Sequence, residues 1–329
     1  MLLYTVRRIF ASILVLLASS ILVFILVAQT VDPLAQYRTR QPPPPEAFFQ
    51  QQREALGLDK PILVRYWDWL TGVVQGDFGN NIAGNPVADT IWTRLGVTAR
   101  MVVLAMIIAV VLAVVVGVIT AVRKNKPSDY IATIISYVLI ALPVFWFAVL
   151  LKVFVAIKVN QWVGETILYT ASEESPGISV YESGWPLLKD RLQHLVLPTI
   201  ALALITYAAW SRFQRASMLD VMSSEYMRFA RAKGLPYRKV LLKHGLRNAL
   251  IPTTTVVALG LGAIFGGAII TERVFNWNGM GSYLTEQGLG QSDLNVVLAW
   301  LIVSSFFIVL FNLIADLLYA VLDPRIRLS

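Results

Sequence analysis

Long apolar runs alternate with polar stretches along the whole chain. The first, from about Ile9 to Val31, exceeds the ~20 residues that a helix needs to cross a bilayer. It is too long for the apolar centre of a cleavable signal peptide, and no small-residue cleavage site closes it. It therefore predicts an uncleaved first transmembrane helix. Further runs predict spans over 97–122, 130–157, 194–212, 250–271 and 296–321. Pro143 inside the third predicts a kink, because proline removes a helical hydrogen bond. Gly260, Gly262, Gly266 and Gly267 give the fifth a small-residue face suited to close helix packing. The expected fold is an all-α polytopic membrane protein with six transmembrane helices.

The polar stretches differ from one another. Residues 32–96 hold a stiff polyproline element at Pro42–Pro45, a helix predicted from Glu46 to Leu56, and the aromatic cluster Tyr66, Trp67 and Trp69, suited to a membrane interface. Gly76-Asp77-Phe78-Gly79 predicts a turn. Residues 158–193 form a second polar loop, with Glu165, Glu173, Glu174, Glu182 and Asp190. After the fifth apolar run, the segment TERVFNWNGMGSYL predicts a short polar loop. The stretch from 213 to 249 is the most distinctive. Ser223 and Ser224 suit a helix N-cap, and Glu225 a first helical turn. Gly234 reads as a C-cap, and Pro236 as the first turn of a second helix. On that helix Lys239, Lys243 and Arg247 fall on one face, and Leu242, Leu246, Ala249 and Leu250 on another. Ala230, Ala232 and Gly234 would let another surface approach the backbone.

Composition narrows the chemistry. The chain is 57% hydrophobic with a mean hydropathy of +0.64, far too apolar for one soluble domain. It has no Cys and only two histidines, His194 and His244, so thiol chemistry, disulfides and His metal clusters are excluded. His194 reads as an anchor at the start of the fourth helix. No GxxxxGK[ST] loop and no GxSxG elbow occurs. Gly260-Leu261-Gly262 lies within an apolar run and reads as packing. The span centres lack ionisable residues, and Lys152 and Asp316 lie near span ends, which argues against an ion-coupled carrier.

The net charge of +8 is a topology signal. One side of the expected bilayer (the N-terminus, 123–129, 212–249 and the tail) holds 16 Lys/Arg against 5 Asp/Glu, and the other 12 against 15. The first side is assigned to the cytoplasm by the positive-inside rule. This gives three regions: 1–31, the cytoplasmic N-terminus and first span; 32–96, extracytoplasmic; and 97–329, a core with the hairpin 213–249 inside. Nucleic acid is not expected as a partner.

ARAKG followed by a basic helix ending RNALIP resembles the EAA loop of ABC importer permeases of the dipeptide/oligopeptide/nickel branch. LGLDKPILVRYWDWL with GDFG, ERVFNWNGMG and LLYAVLDPRIR are similar to segments of the same family. Aligned on Gly234, the family's Glu-Ala-Ala falls at Arg228, Phe229 and Ala230, with only the last alanine kept, and Asn278 stands where a proline is usual. The resemblance implies a type I importer permease fold in a bacterial cytoplasmic membrane and a non-catalytic transport subunit. The expected partners are a second homologous permease, two ABC ATPase subunits and an extracytoplasmic substrate-binding protein. No cofactor is expected in this chain, because ATP and Mg are used by the ATPases. The residues implied in ATPase coupling are Glu225, Arg228, Ala230, Arg231, Ala232, Lys233, Gly234, Leu235, Arg238 and Lys239. Peptides are the expected substrate, with nickel, glutathione or another small solute as alternatives. A secondary carrier and a membrane scaffold are the readings outside this class.

Overall fold

The computed structural model describes residues 2–38, 41–42 and 44–322. It is helical, with one isolated bridge, Asn80 to Pro86, among the described residues. The helices are α1 (Leu2–Thr30), α2 (Ala35–Arg38), α3 (Glu46–Ala55), α4 (Ile62–Val74), α5 (Val87–Val122), α6 (Pro127–Ala141), α7 (Val144–Leu150), α8 (Ile157–Val163) and α9 (Ile178–Tyr181). They continue with α10 (Trp185–Ser223), α11 (Glu225–Ala232), α12 (Tyr237–Lys239), α13 (Arg247–Val274), α14 (Met280–Tyr283) and α15 (Leu294–Leu322). Three wider π turns, at 151–156, 240–246 and 284–289, run between neighbouring helices.

Among the described residues, five stretches are long and apolar enough to cross a membrane: 5–30, 87–122, 144–163, 185–223 and 294–314. Pro127–Ala141 is a shorter apolar helix. Pro143 does more than kink the third run. Leu142 is extended (ψ 127°), so α6 stops and Pro143 begins α7. A residue before proline is pushed out of the α region by the pyrrolidine ring, which explains the full break.

The chain divides into two compact units, residues 1–9, 99–277 and 310–329 in one, and 10–98 and 278–309 in the other. In the first, α10 packs along α13. A Cβ on Gly260 would come within 2.8 Å of the Trp210 indole, so this glycine is what lets the two helices close. The surroundings of Gly262, Gly266 and Gly267 lie outside the described residues. A core of Ala148, Leu151, Ala156, Leu197, Ala201 and Phe275 joins α7, the first π turn, α10 and the end of α13. Lys152 donates to the Val274 carbonyl at 2.8 Å, satisfying a helix-end acceptor, and Asp316 pairs with Arg8 at 3.0 Å.

His194 does not anchor a helix start. The helix begins at Trp185, and His194 is buried one turn after Asp190, its Nδ1 2.9 Å from the Asp190 carbonyl and its ring stacked 3.9 Å from Tyr169. Asp190 accepts the Ser175 amide and hydroxyl, and Arg191 pairs with Glu174 at 2.8 Å. The polar 158–193 stretch is therefore partly pinned onto α10. Hydrogen bonding from Ser179, then from Arg191, holds the Glu174 carboxyl below its ordinary value.

In the second unit, Tyr66 is buried against α1, its hydroxyl 2.9 Å from Ser20 Oγ and its ring edge-on to Phe24. Trp67 points outward, 63% exposed. Asp293 starts α15 by accepting the Val296 amide and also takes the Ile82 amide at 2.7 Å. The segment from Thr271 to Tyr283 is not a solvated loop. Thr271, Glu272, Phe275 and Trp277 are buried in the first unit, and Met280 and Tyr283 in the second. Its aromatic and apolar residues fold inward while short helical turns satisfy the backbone.

Candidate functional site

The stretch following α10 forms a folded hairpin. Ser223 ends α10 and Ser224 is the N-cap position of α11, but neither hydroxyl caps α11. They donate back to the Asp220 and Val221 carbonyls, at 2.8 and 2.6 Å. The serines thus close the end of the preceding helix, whose last carbonyls lack intrahelical partners. After α11, Gly234 sits at φ +74°, in the left-handed region where a Cβ is disfavoured, and its amide donates to the Arg231 carbonyl at 2.9 Å. Pro236 then starts α12 with a β-like ψ of 137°.

The second arm departs from α periodicity. The π turn from Val240 to Leu246 inserts extra backbone, and the buried positions become Val240, Gly245 and Ala249. Leu242, expected on the apolar face, is 57% exposed. A wider turn shifts the inward face, because spacing of five then four replaces the 3.6-residue repeat. Met227, Ala230 and Val240 form the hairpin's own core, with Val221 and Leu235 packed against it. Gly245 lies where a Cβ would meet the methyl tips of Met218 and Met227 at 3.1 and 3.2 Å. Ala121, Met218 and Ala249 form the next cluster, joining α5, α10 and α13. Met218, Met227, Val240 and Gly245 carry no motif that singles them out. Only the break in apolar spacing hints at them.

The ten residues expected in coupling divide accordingly. Ala230 faces the hairpin's interior and cannot offer its backbone to another surface. Leu235 is half-buried. Glu225, Arg228, Arg231, Ala232, Lys233, Gly234, Arg238 and Lys239 are exposed, and nothing stands within 4 Å of a Cβ built on Gly234. Glu225 and Arg228 pair one turn apart at 3.0 Å, both largely in solvent, so the pair adds little stability. Arg231 lies 5.8 Å from the Tyr237 ring, joining the arms across the turn. The arrangement is an apolar wedge seated on α10, with a rim of cations around an open left-handed turn.

A second constellation lies beside it. Arg215 on α10 holds Asp129 at the start of α6, Gln214 accepts the Thr253 hydroxyl at 2.6 Å, and Ser136 and Ser211 stand 3.4 Å apart. Gln214 is fully buried, and Gly117 leaves it room: a Cβ there would lie 2.7 Å from the Gln214 side chain. Gln214 and Asp129 could not be paired with their partners from spacing, because the contacts join positions 39 and 86 residues apart.

Residues 113–328 match the family described as binding-protein-dependent transport system inner membrane component, and residues 1–88 match its N-terminal membrane component. The chain belongs to this family. It is 40% identical over 326 residues to the oligopeptide transport system permease protein OppB of Mycobacterium tuberculosis, with 99% of both chains covered. It is 34% identical to the dipeptide transport system permease protein DppB of Alkalihalophilus pseudofirmus, over 99% of this chain and 100% of that one. It is equally 34% identical to the glutathione transport system permease protein GsiC of Escherichia coli, over 99% of each. It is thus a multi-pass inner-membrane subunit of an ABC transporter, a transport component and not a catalyst, in a family that works with binding proteins and ATPases.

Proposed function

We propose that this chain is the permease subunit of an importer that brings short peptides into the cell. Six spans form a type I importer permease, with α6 to α8 as the broken third span and α13 as the fifth. The termini and the hairpin face the cytoplasm. A second, similar permease chain completes the passage, two ATPase subunits dock beneath, and an extracytoplasmic binding protein delivers the substrate. ATP and Mg are held by the ATPases. The spans alternate between outward and inward openings as the ATPases close and separate.

The observation that carries this reading is the hairpin. Its core of Met227, Ala230, Val240 and Gly245 fixes it to α10, while its cationic rim and the open Gly234 turn remain exposed. A lipid-surface loop needs the cations but not the internal core. The relatives named for oligopeptides, dipeptides and glutathione support a peptide-like cargo, glutathione being itself a tripeptide.

The test is ATP-driven uptake in vesicles containing this chain, the second permease and the ATPases, with the binding protein outside. Labelled di- and oligopeptides should accumulate and nickel should not. Nickel uptake with no peptide uptake overturns the peptide reading. ATP hydrolysis by the purified chain alone overturns the passive-subunit reading.

A further inference from the structure

The second unit holds a cavity of about 340 Å³ where α1, α3, α4 and the start of α15 meet. Its floor is apolar, with Phe24, Phe78 and Leu298 buried beneath it. Its ionisable walls are Glu54, Lys60, Arg65, Asp68 and Asp77. Two of these are already occupied with each other: Lys60 Nζ lies 2.8 Å from Asp68 Oδ2. Asp77 accepts the Gly79 amide at 2.8 Å in the turn that closes the wall.

Three groups remain without an ion-pair or side-chain hydrogen-bond partner among the described residues. Arg65 makes no ion pair, and burial alone holds its guanidinium below the ordinary arginine value. Glu54 has no ion pair or side-chain hydrogen bond. Trp69 lines the same cavity, and its Nε1 is buried with no acceptor. Arg65 and Trp69 are four residues apart on α4, so they share a face, with Gly72 one turn further keeping that face low. A buried indole N–H and a half-buried guanidinium on one wall call for an acceptor group, and a carboxylate satisfies both. Glu54, exposed at the rim of the cavity, offers a carboxylate to a cation. A plain anion would meet Glu54 and Asp77 unfavourably, whereas a ligand carrying one charge of each sign answers all three.

We propose that this cavity is a binding site for a short zwitterionic peptide, outside the membrane-spanning path, with its free carboxylate on Arg65 and Trp69 and its free ammonium on Glu54. The volume lies at the small end of ligand cavities and suits a dipeptide. The apolar floor accepts side chains without reading them, and selection falls on the two termini. The proposal rests on the peptide-import reading.

The experiment uses the assembled transporter in nanodiscs without its binding protein, and saturation-transfer NMR with dialanine, its C-terminal amide and its N-acetyl form. Dialanine should give the signal, and each blocked peptide should bind at least tenfold more weakly. Arg65→Gln and Trp69→Phe should erase the preference over the amide, and Glu54→Gln the preference over the acetyl form. No dialanine signal, or equal signals from all three peptides on the unaltered complex, overturns the site. So does a preference that survives the substitutions. Uptake in vesicles separates the two claims: import of peptides without dialanine binding here sinks the site alone, and binding here without import sinks the import reading alone.

Discussion

Arg215 holds Asp129 through two parallel hydrogen bonds, Nε to Oδ1 at 2.7 Å and Nη2 to Oδ2 at 2.8 Å. The Asp129 side chain is 5% exposed and that of Arg215 28%, so losing either partner strands a buried charge. Asp129→Asn and Arg215→Ala should each cost about 3 kcal/mol of stability. Arg215→Lys should cost less, keeping the charge and losing the fork. The double substitution Asp129→Leu with Arg215→Met should lie closer to the parent than either single change. Thermal unfolding of the purified complex measures all of them.

The same pair sets an acid limit. The Arg215 hydrogen bond, opposed by burial and helped by the Asn125 amide, holds the Asp129 carboxyl below its ordinary value. A depressed folded value means the ionised form stabilises the fold. That contribution is complete above the unfolded value of about 3.9 and is lost as pH falls through the folded one. The stability gap between the parent and Asp129→Asn should therefore narrow below about pH 4. A gap that stays constant on acidification contradicts this.

Two hairpin glycines should behave differently. Gly234→Val meets open space but takes a Cβ into the left-handed region, at about 1 kcal/mol. Insertion should stay near normal while uptake falls or separates from ATP turnover. Ala232→Trp should do the same through volume alone. Gly245→Leu must displace the Met218 and Met227 tips and should loosen the hairpin from α10, seen as protease cleavage between 224 and 246. Gly245→Ala should be tolerated, because methionine ends yield.

Helix packing gives a graded pair. Gly260→Ala presses a methyl onto the Trp210 ring, and Trp210→Leu in the same chain should restore most of the loss. Gly117→Ala meets the Ser211 carbonyl at 2.9 Å as well as Gln214, and a backbone atom cannot rotate away. It should destabilise more than Gly260→Ala, and substituting Gln214 should not rescue it. Unfolding temperatures rank the four variants.

Sidedness is open to thiol labelling, since the chain has no cysteine of its own. Ala232→Cys should react with an impermeant reagent only in opened cells. Val180→Cys, at a position 79% exposed, should react in intact cells once any outer envelope is permeable. The reverse pattern removes the cytoplasmic placement of the hairpin.

The apolar runs were legible because membrane helices need long uninterrupted sequence, and the Gly234 turn because few residues adopt its conformation. The hairpin's inward face was not. A 3.6-residue repeat selects Leu242, and the π turn that selects Val240 and Gly245 leaves no composition signal. Ser223 and Ser224 look like N-caps in sequence, yet their hydroxyls can equally close the helix before them. Pro143 announces itself, but whether a proline bends or breaks a helix depends on its neighbour, here the extended Leu142. The segment from Thr271 to Tyr283 reads as polar because Glu272, Arg273 and its asparagines outweigh its buried aromatics. The start of α10 lies nine residues before His194, in a stretch rich in polar residues where the apolar pattern gives no sign of it. Pairings such as Gln214 with Thr253 belong to tertiary structure alone.

Helix α10 runs unbroken for 39 residues, roughly 58 Å at 1.5 Å per residue, against a hydrocarbon layer of about 30 Å. Pro198 lies within it, and no joint separates its apolar middle from the end that carries the hairpin. One continuous helix links the hairpin end near Ser223 to the far end near Trp185, where Asp190 and Arg191 hold the Ser175 and Glu174 loop. In the proposed transport cycle the segment would serve as a lever, its stroke at either end set by angle and length, whatever the chemistry of the cargo.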